Sequence, residues 1–291
     1  MTTPRTLPLT VLLHEGPIGR AYLLQLERDG VRPAAVVRMV ARTHPVTRRP
    51  LGRWLPGSFG LAYAERAEEA SRMHWPRAIR RSVPAVFDAV RSALERWRPG
   101  STLLLDRLAD RIDDGTCADR VIKVRANGPR DRAVVPALRE AGQPIVLFTG
   151  GGIVPPAVLD AGIRFLHVHP GYLPYVRGAD GLLWSTLVRG RPGATSFFLD
   201  RGLDTGPVVC AREYEPVTFA LPFRPDDQTL YRSVYSWYDP LLRAACLSDT
   251  IAAHPDFALV AGEPQNPRVG ETYPFMHSRL RRAALDRIFW T

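Results

Sequence analysis

Two histidines two residues apart, His167 and His169, close an apolar run that begins at Phe165 and gives way at once to Pro170-Gly-Tyr-Leu-Pro174. Side chains at i and i+2 of a strand share a face, so both imidazoles project to one side where Pro170 stops the strand. Imidazole changes charge near neutral pH and moves protons in catalysis, and two of them ahead of a loop point to a functional site rather than to a core histidine. Further on, the strand pattern Ala194–Leu199 runs into Asp200-Arg-Gly202-Leu-Asp204-Thr-Gly206, which places Asp204 35 residues after His169. Asp204 alone reads as a turn aspartate. Beside the histidines it becomes a carboxylate able to orient an imidazole or accept a proton. The same three residues also make a two-histidine, one-carboxylate set that suits zinc or iron with open positions, so a metal-dependent enzyme is a competing reading of the residues.

His169-Pro170-Gly171-Tyr-Leu173-Pro174, Arg177-Gly178 and Asp200-Arg-Gly202-Leu-Asp204-Thr-Gly206 together resemble the signature of the 10-formyltetrahydrofolate-dependent formyltransferases, the family of the methionyl-tRNA, glycinamide ribonucleotide and amino-sugar enzymes. The likeness runs from about Pro144 to Val209. It implies 10-formyltetrahydrofolate as formyl donor, a small-molecule amine as acceptor, and His169 and Asp204 as catalytic residues. In such a reaction an amine attacks the formyl carbon, and the tetrahedral intermediate carries negative charge on oxygen. A histidine can stabilise that charge, and an aspartate can orient the histidine or take the amine proton. His167 stands where the family has asparagine, whose amide serves as an oxyanion donor; the expectation is that the imidazole N–H replaces it. Loss of such a donor typically costs about 2.7–4 kcal/mol. The resemblance further implies a folate pocket walled by Phe148, Gly152, Ile153 and Val154 and completed by Leu159, Leu199, Asp200, Arg201 and Leu203. A catalytically silent folate-binding relative and a hydrolase releasing formate are the alternatives within this frame.

The elements that must position these residues form an alternating series. Apolar strand patterns at Leu9–Leu13, Ala34–Met39, Thr102–Leu105, Val121–Val124, Pro144–Phe148 and Arg164–Val168 are separated by helical patterns at 20–28, 60–74, 84–97, 130–141 and 155–160. Such alternation predicts an α/β fold with a doubly wound, mostly parallel, Rossmann-like sheet, in which ligands bind beyond the carboxyl ends of the strands. Residues 40–58, rich in arginine and proline, read as an irregular excursion. A helical pattern spans Thr229–Ala253. The expected division is a catalytic domain at 1–225 and a mostly helical C-terminal extension at 226–291, a candidate surface for the acceptor or for self-association.

The 291 residues are 45% hydrophobic and 23% charged, which excludes a disordered chain. The longest uncharged stretch, Ala141–Leu159, is broken by Gly150, Gly151, Gly152, Pro155 and Pro156, so no membrane span is expected. The short apolar run near the N-terminus lacks the pattern of a signal peptide. Cys117, Cys210 and Cys246 show no paired spacing, which fits a reduced, cytoplasmic protein. The net charge of +10 invites a polyanion, yet Lys123 is the only lysine among 39 basic residues. An arginine excess of that kind is explained as well by codon usage as by a binding surface, and nucleic acid is not the expected partner.

Overall fold

The computed structural model describes residues 4–290. The chain opens with β1 (Arg5–His14), α1 (Pro17–Arg28) and β2 (Val31–Val40). Helices α2 (Gly57–Arg72), α3 (His74–Ser82), α4 (Pro84–Trp97) and α5 (Ser101–Leu108) follow, then a single turn α6 (Asp114–Cys117). Alternation resumes with β3 (Arg120–Arg125), α7 (Val134–Ala141), β4 (Ile145–Phe148), the short α8 (Pro156–Leu159) and β5 (Arg164–His169). Next come β6 (Val176–Gly178), α9 (Gly181–Arg189), β7 (Gly193–Phe198) and β8 (Val208–Glu213). Helix α10 (Asp227–Ser233) continues through a π-helical turn, Val234–Tyr238, into α11 (Asp239–Ala253), and β9 (Glu271–Tyr273) and α12 (Ser278–Phe289) complete the order.

Seven strands form one sheet in the order β3-β2-β1-β4-β5-β7-β8. The first five in that order run parallel, and β7 and β8 are antiparallel to their neighbours. The sheet is therefore α/β and mostly parallel, as the alternation predicts. The strand order reverses between β1 and β4, the position where open α/β sheets leave a crevice for ligands. Buried on both faces, the central strands read as unbroken apolar runs, Val11-Leu-Leu13 and Ile145-Val-Leu-Phe148.

One apolar cluster joins β1, α1, α4 and α5 to Leu241, Leu242 and Leu247 of α11 and Leu285 and Phe289 of α12. A second covers the opposite face with α7, Val154, Val158 and Phe165, and a small third one joins Val40, Ala41, Leu51 and Ala64. The boundary expected at residue 225 does not coincide with a break in the core, because the helices after it complete the first cluster. Thr102–Leu105, expected as a strand, lies in helix α5. Glu95 accepts from the backbone N–H groups of Gly100 and Thr102 at 2.7 and 2.9 Å and so opens the helix, and Leu104, Leu105 and Leu108 turn inward while Leu103 faces solvent.

Buried charge gathers beyond β1 and β2. Glu15 bridges Arg20 and Arg38 at 2.7 and 3.1 Å, and Lys123 on β3 is held by Asp114 at 2.7 Å and Glu65 at 2.8 Å. Among the described residues no helix is long and apolar enough to cross a membrane.

Candidate active site

Strand β5 carries both histidines on the sheet face that holds Phe165, at the register of Phe197 and Thr195 on β7. The loop after β5 is tied down by Thr195, whose hydroxyl accepts from Leu173 N–H at 3.0 Å and donates to Gly171 O at 2.8 Å. His169 is 3% exposed. Its Nε2–H donates to the Val176 carbonyl at 2.9 Å, and its Nδ1 lies 3.5 Å from Asp204 Oδ2. A carbonyl only accepts, so in neutral His169 the lone pair sits on Nδ1, facing the carboxylate. Two glycines leave the space that the ring occupies. A Cβ on Gly171 would stand 2.6 Å from Nε2, and one on Gly181 would stand 3.0 Å from it.

The β7–β8 connection folds back over this face and delivers Asp204. That residue adopts the left-handed conformation, φ 55°, and its Oδ2 accepts from Gly178 N–H at 2.8 Å. Gln265 fixes the loop from outside by donating to the carbonyls of Asp204 and Gly206 at 2.9 and 2.7 Å.

His167 is half-buried between the rings of Phe148 and Phe197. Its Nδ1–H donates to the Phe148 carbonyl at 3.0 Å. Behind the strand, the Arg243 guanidinium of α11 donates to both carboxylate oxygens of Asp239 at 3.0 Å and to the Val168 carbonyl, between the two histidines, at 3.0 Å. Burial, reinforced by Arg243, holds His167 at about 4. For His169 burial also wins: Asp204 pulls the other way, Arg243 adds to burial, and the imidazole is held below its usual value. Both histidines are thus neutral at neutral pH.

A cavity of about 180 Å³ adjoins Asp204. Gly152, Ile153, Val154, Leu199, Asp200, Arg201 and Leu203 line it, joined by Gly202 and Asp204. Asp200 holds the turn through Gly202 N–H and the Thr205 hydroxyl, and Arg201 pairs with Asp160 at 2.8 Å. Phe148 and Leu159 lie apart from the lining: Phe148 is buried in β4 and reaches the site through its carbonyl, and Leu159 packs against the core. A second pocket, of about 350 Å³, lies at the ends of β1 and β4 between His14, Gly16, Arg72, Thr149, Gly151 and Tyr235. The glycine run divides between them, Gly150 and Gly151 lining this pocket and Gly152 the first. Among the described residues no three His, Cys, Asp or Glu side chains converge to hold a metal ion.

Sequence reasoning passed over Asp239, Arg243 and Gln265, took Tyr235 for a packing aromatic and gave Asp180 no role. Asp180 is 8% exposed and accepts from the hydroxyls of Tyr231 and Tyr235 at 2.9 and 2.7 Å and from Met276 N–H at 2.8 Å. The i,i+4 spacing of Asp239 and Arg243 was a readable signal; their burial was not.

No protein-family model matches the chain. The methionyl-tRNA formyltransferase of Syntrophus aciditrophicus is 36% identical over 90 residues, 30% of this chain and 28% of that protein. Over that stretch this chain is similar to a formyltransferase. The dTDP-4-amino-4,6-dideoxyglucose formyltransferase of Mycobacterium tuberculosis is 40% identical over 58 residues, 20% of this chain and 25% of that one. A sugar N-formyltransferase from a Shewanella species superposes with a TM-score of 0.46 at 11% identity, covering 99% of this chain and 88% of that one. The formyltransferase-like match thus spans little more than a quarter of the first relative's length.

Proposed function

We propose that the chain transfers a formyl group from 10-formyltetrahydrofolate to an amine of a small-molecule acceptor. The observation that carries this reading is that one carboxylate, Asp204, both lines the 180 Å³ cavity and lies 3.5 Å from His169. That volume is below the roughly 300 Å³ at which sites for whole drug-sized ligands begin, and it suits one ring system with the remainder of the donor outside. Gly152 supports the reading: its φ of 106° and the open space around it let a flat ring edge approach the backbone.

The acceptor is assigned to the 350 Å³ pocket across the glycine run, where Arg72 suits a phosphate or carboxylate on the acceptor. When the amine attacks the formyl carbon, positive charge grows on nitrogen and negative charge on oxygen. Asp204 faces the first. His169, wedged between Val176 O and Asp204, keeps that carboxylate in place and becomes cationic if a proton enters the pair.

Titration with 5-formyltetrahydrofolate, which needs no acceptor, tests the donor assignment: saturable binding is expected, and its absence sinks the proposal. In His169→Ala and Asp204→Asn, turnover should fall by about 10²–10⁴ while that binding persists.

A further inference from the structure

Resting on that reading, we infer that His167 is the proton carrier of the transfer, taking the amine's proton through Nε2 rather than donating a hydrogen bond as an asparagine amide would. The bond from Nδ1–H to the Phe148 carbonyl fixes the tautomer, because a carbonyl cannot donate. Nε2 of the neutral ring is then a bare lone pair. Among the described residues it has no hydrogen-bond partner, and it is not closed off in the core. It lies on the sheet face where Val154 and Leu199 pack and line the cavity. His169, by contrast, has its lone pair turned onto Asp204 and its other nitrogen engaged with the Val176 carbonyl. Of the two imidazoles only His167 offers an open acceptor.

The step balances. The amine lone pair forms a bond to the formyl carbon, the C=O π pair moves to oxygen, and the N–H proton passes to His167 Nε2. The imidazolium now donates from both nitrogens, from Nδ1 to Phe148 O and from Nε2 to the oxyanion. Collapse of the intermediate re-forms C=O, breaks the bond from carbon to N10, and returns the proton from Nε2 to N10. The titratable and charged groups facing His167 are Arg243 from α11, Asp204 from the β7–β8 connection and the neutral His169 on its own strand. Arg243 and burial keep the resting ring neutral, and the oxyanion formed in the same step compensates the transient cation.

Nitrogen-15 NMR of the histidine-labelled full chain, free and with 5-formyltetrahydrofolate, reads the tautomer without an acceptor. An unprotonated Nε2 on His167 at pH 7 is expected, and a protonated Nε2 with a bare Nδ1 overturns the assignment. His167→Asn and His167→Ala, checked for a wild-type thermal midpoint, separate the roles through consumption of 10-formyltetrahydrofolate in the presence of dTDP-4-amino-4,6-dideoxyglucose. Both should lose about 10²–10⁴ in kcat with 5-formyltetrahydrofolate binding intact. Asparagine at wild-type kcat would show that a donor suffices and end the proposal. Failure of the wild-type chain to bind 5-formyltetrahydrofolate would instead defeat the folate reading, a result distinct from the tautomer.

Discussion

Gly171 is fixed by its neighbours. The two atoms nearest to an added Cβ, His169 Nε2 and Val176 O, both at 2.6 Å, are the partners of the hydrogen bond that orients the His169 ring. Gly171→Ala should therefore destabilise the fold by about 1–3 kcal/mol in denaturant unfolding and lower turnover more than that loss explains. The pH dependence of stability follows from His14 and His167, each held at about 4 against 6.5 for the unsheltered side chain, in both cases chiefly by burial. Between those values the unfolded chain binds protons that the folded chain refuses. Stability is complete above about pH 6.5 and is lost as pH falls toward 4, so the denaturation midpoint should drop over that interval, less steeply in His167→Gln. His169 and Asp204 were legible in the sequence because an i,i+2 pair and an Asp-Gly turn are local patterns. The tautomer of His167 was not, because it depends on the register that sets Phe148 of β4 beside it.

At the scale of elements, α11 braces β5. Arg243→Met would leave Asp239, 0% exposed, as an unpaired buried carboxylate, at a cost of about 3–5 kcal/mol. The double change Arg243→Met with Asp239→Leu should recover most of that loss, and urea unfolding of the three variants provides the check. The helical period of Thr229–Ala253 was readable, but the face that meets β5 was not, since periodicity gives a stripe and not its partner. Thr102–Leu105 shows the opposite limit. Four apolar residues fit strand or helix equally, and the carboxylate of Glu95, outside the run, decides.

Across the whole molecule, strand alternation sufficed for the mostly parallel sheet, whereas the division at residue 225 rested on where resemblance faded. Resemblance measures descent and not packing. Leu241, Leu242, Leu247 and Phe289 belong to the cluster that holds β1 and α1. A chain ending at Pro225 should consequently show no cooperative thermal transition and should be cleaved rapidly by trypsin, whereas a resistant, cooperatively melting fragment would support an independent domain at 1–225.

Lys123 gives the molecule a further property. The chain carries a single ε-amine, and Asp114 and Glu65 flank it. Burial favours the neutral form there, but the two carboxylates outweigh it and raise the ammonium above its usual range. A protonated nitrogen has no lone pair with which to attack a carbonyl. Under the proposed transfer, the one side-chain amine that a formyl donor could modify is thus held in its unreactive form.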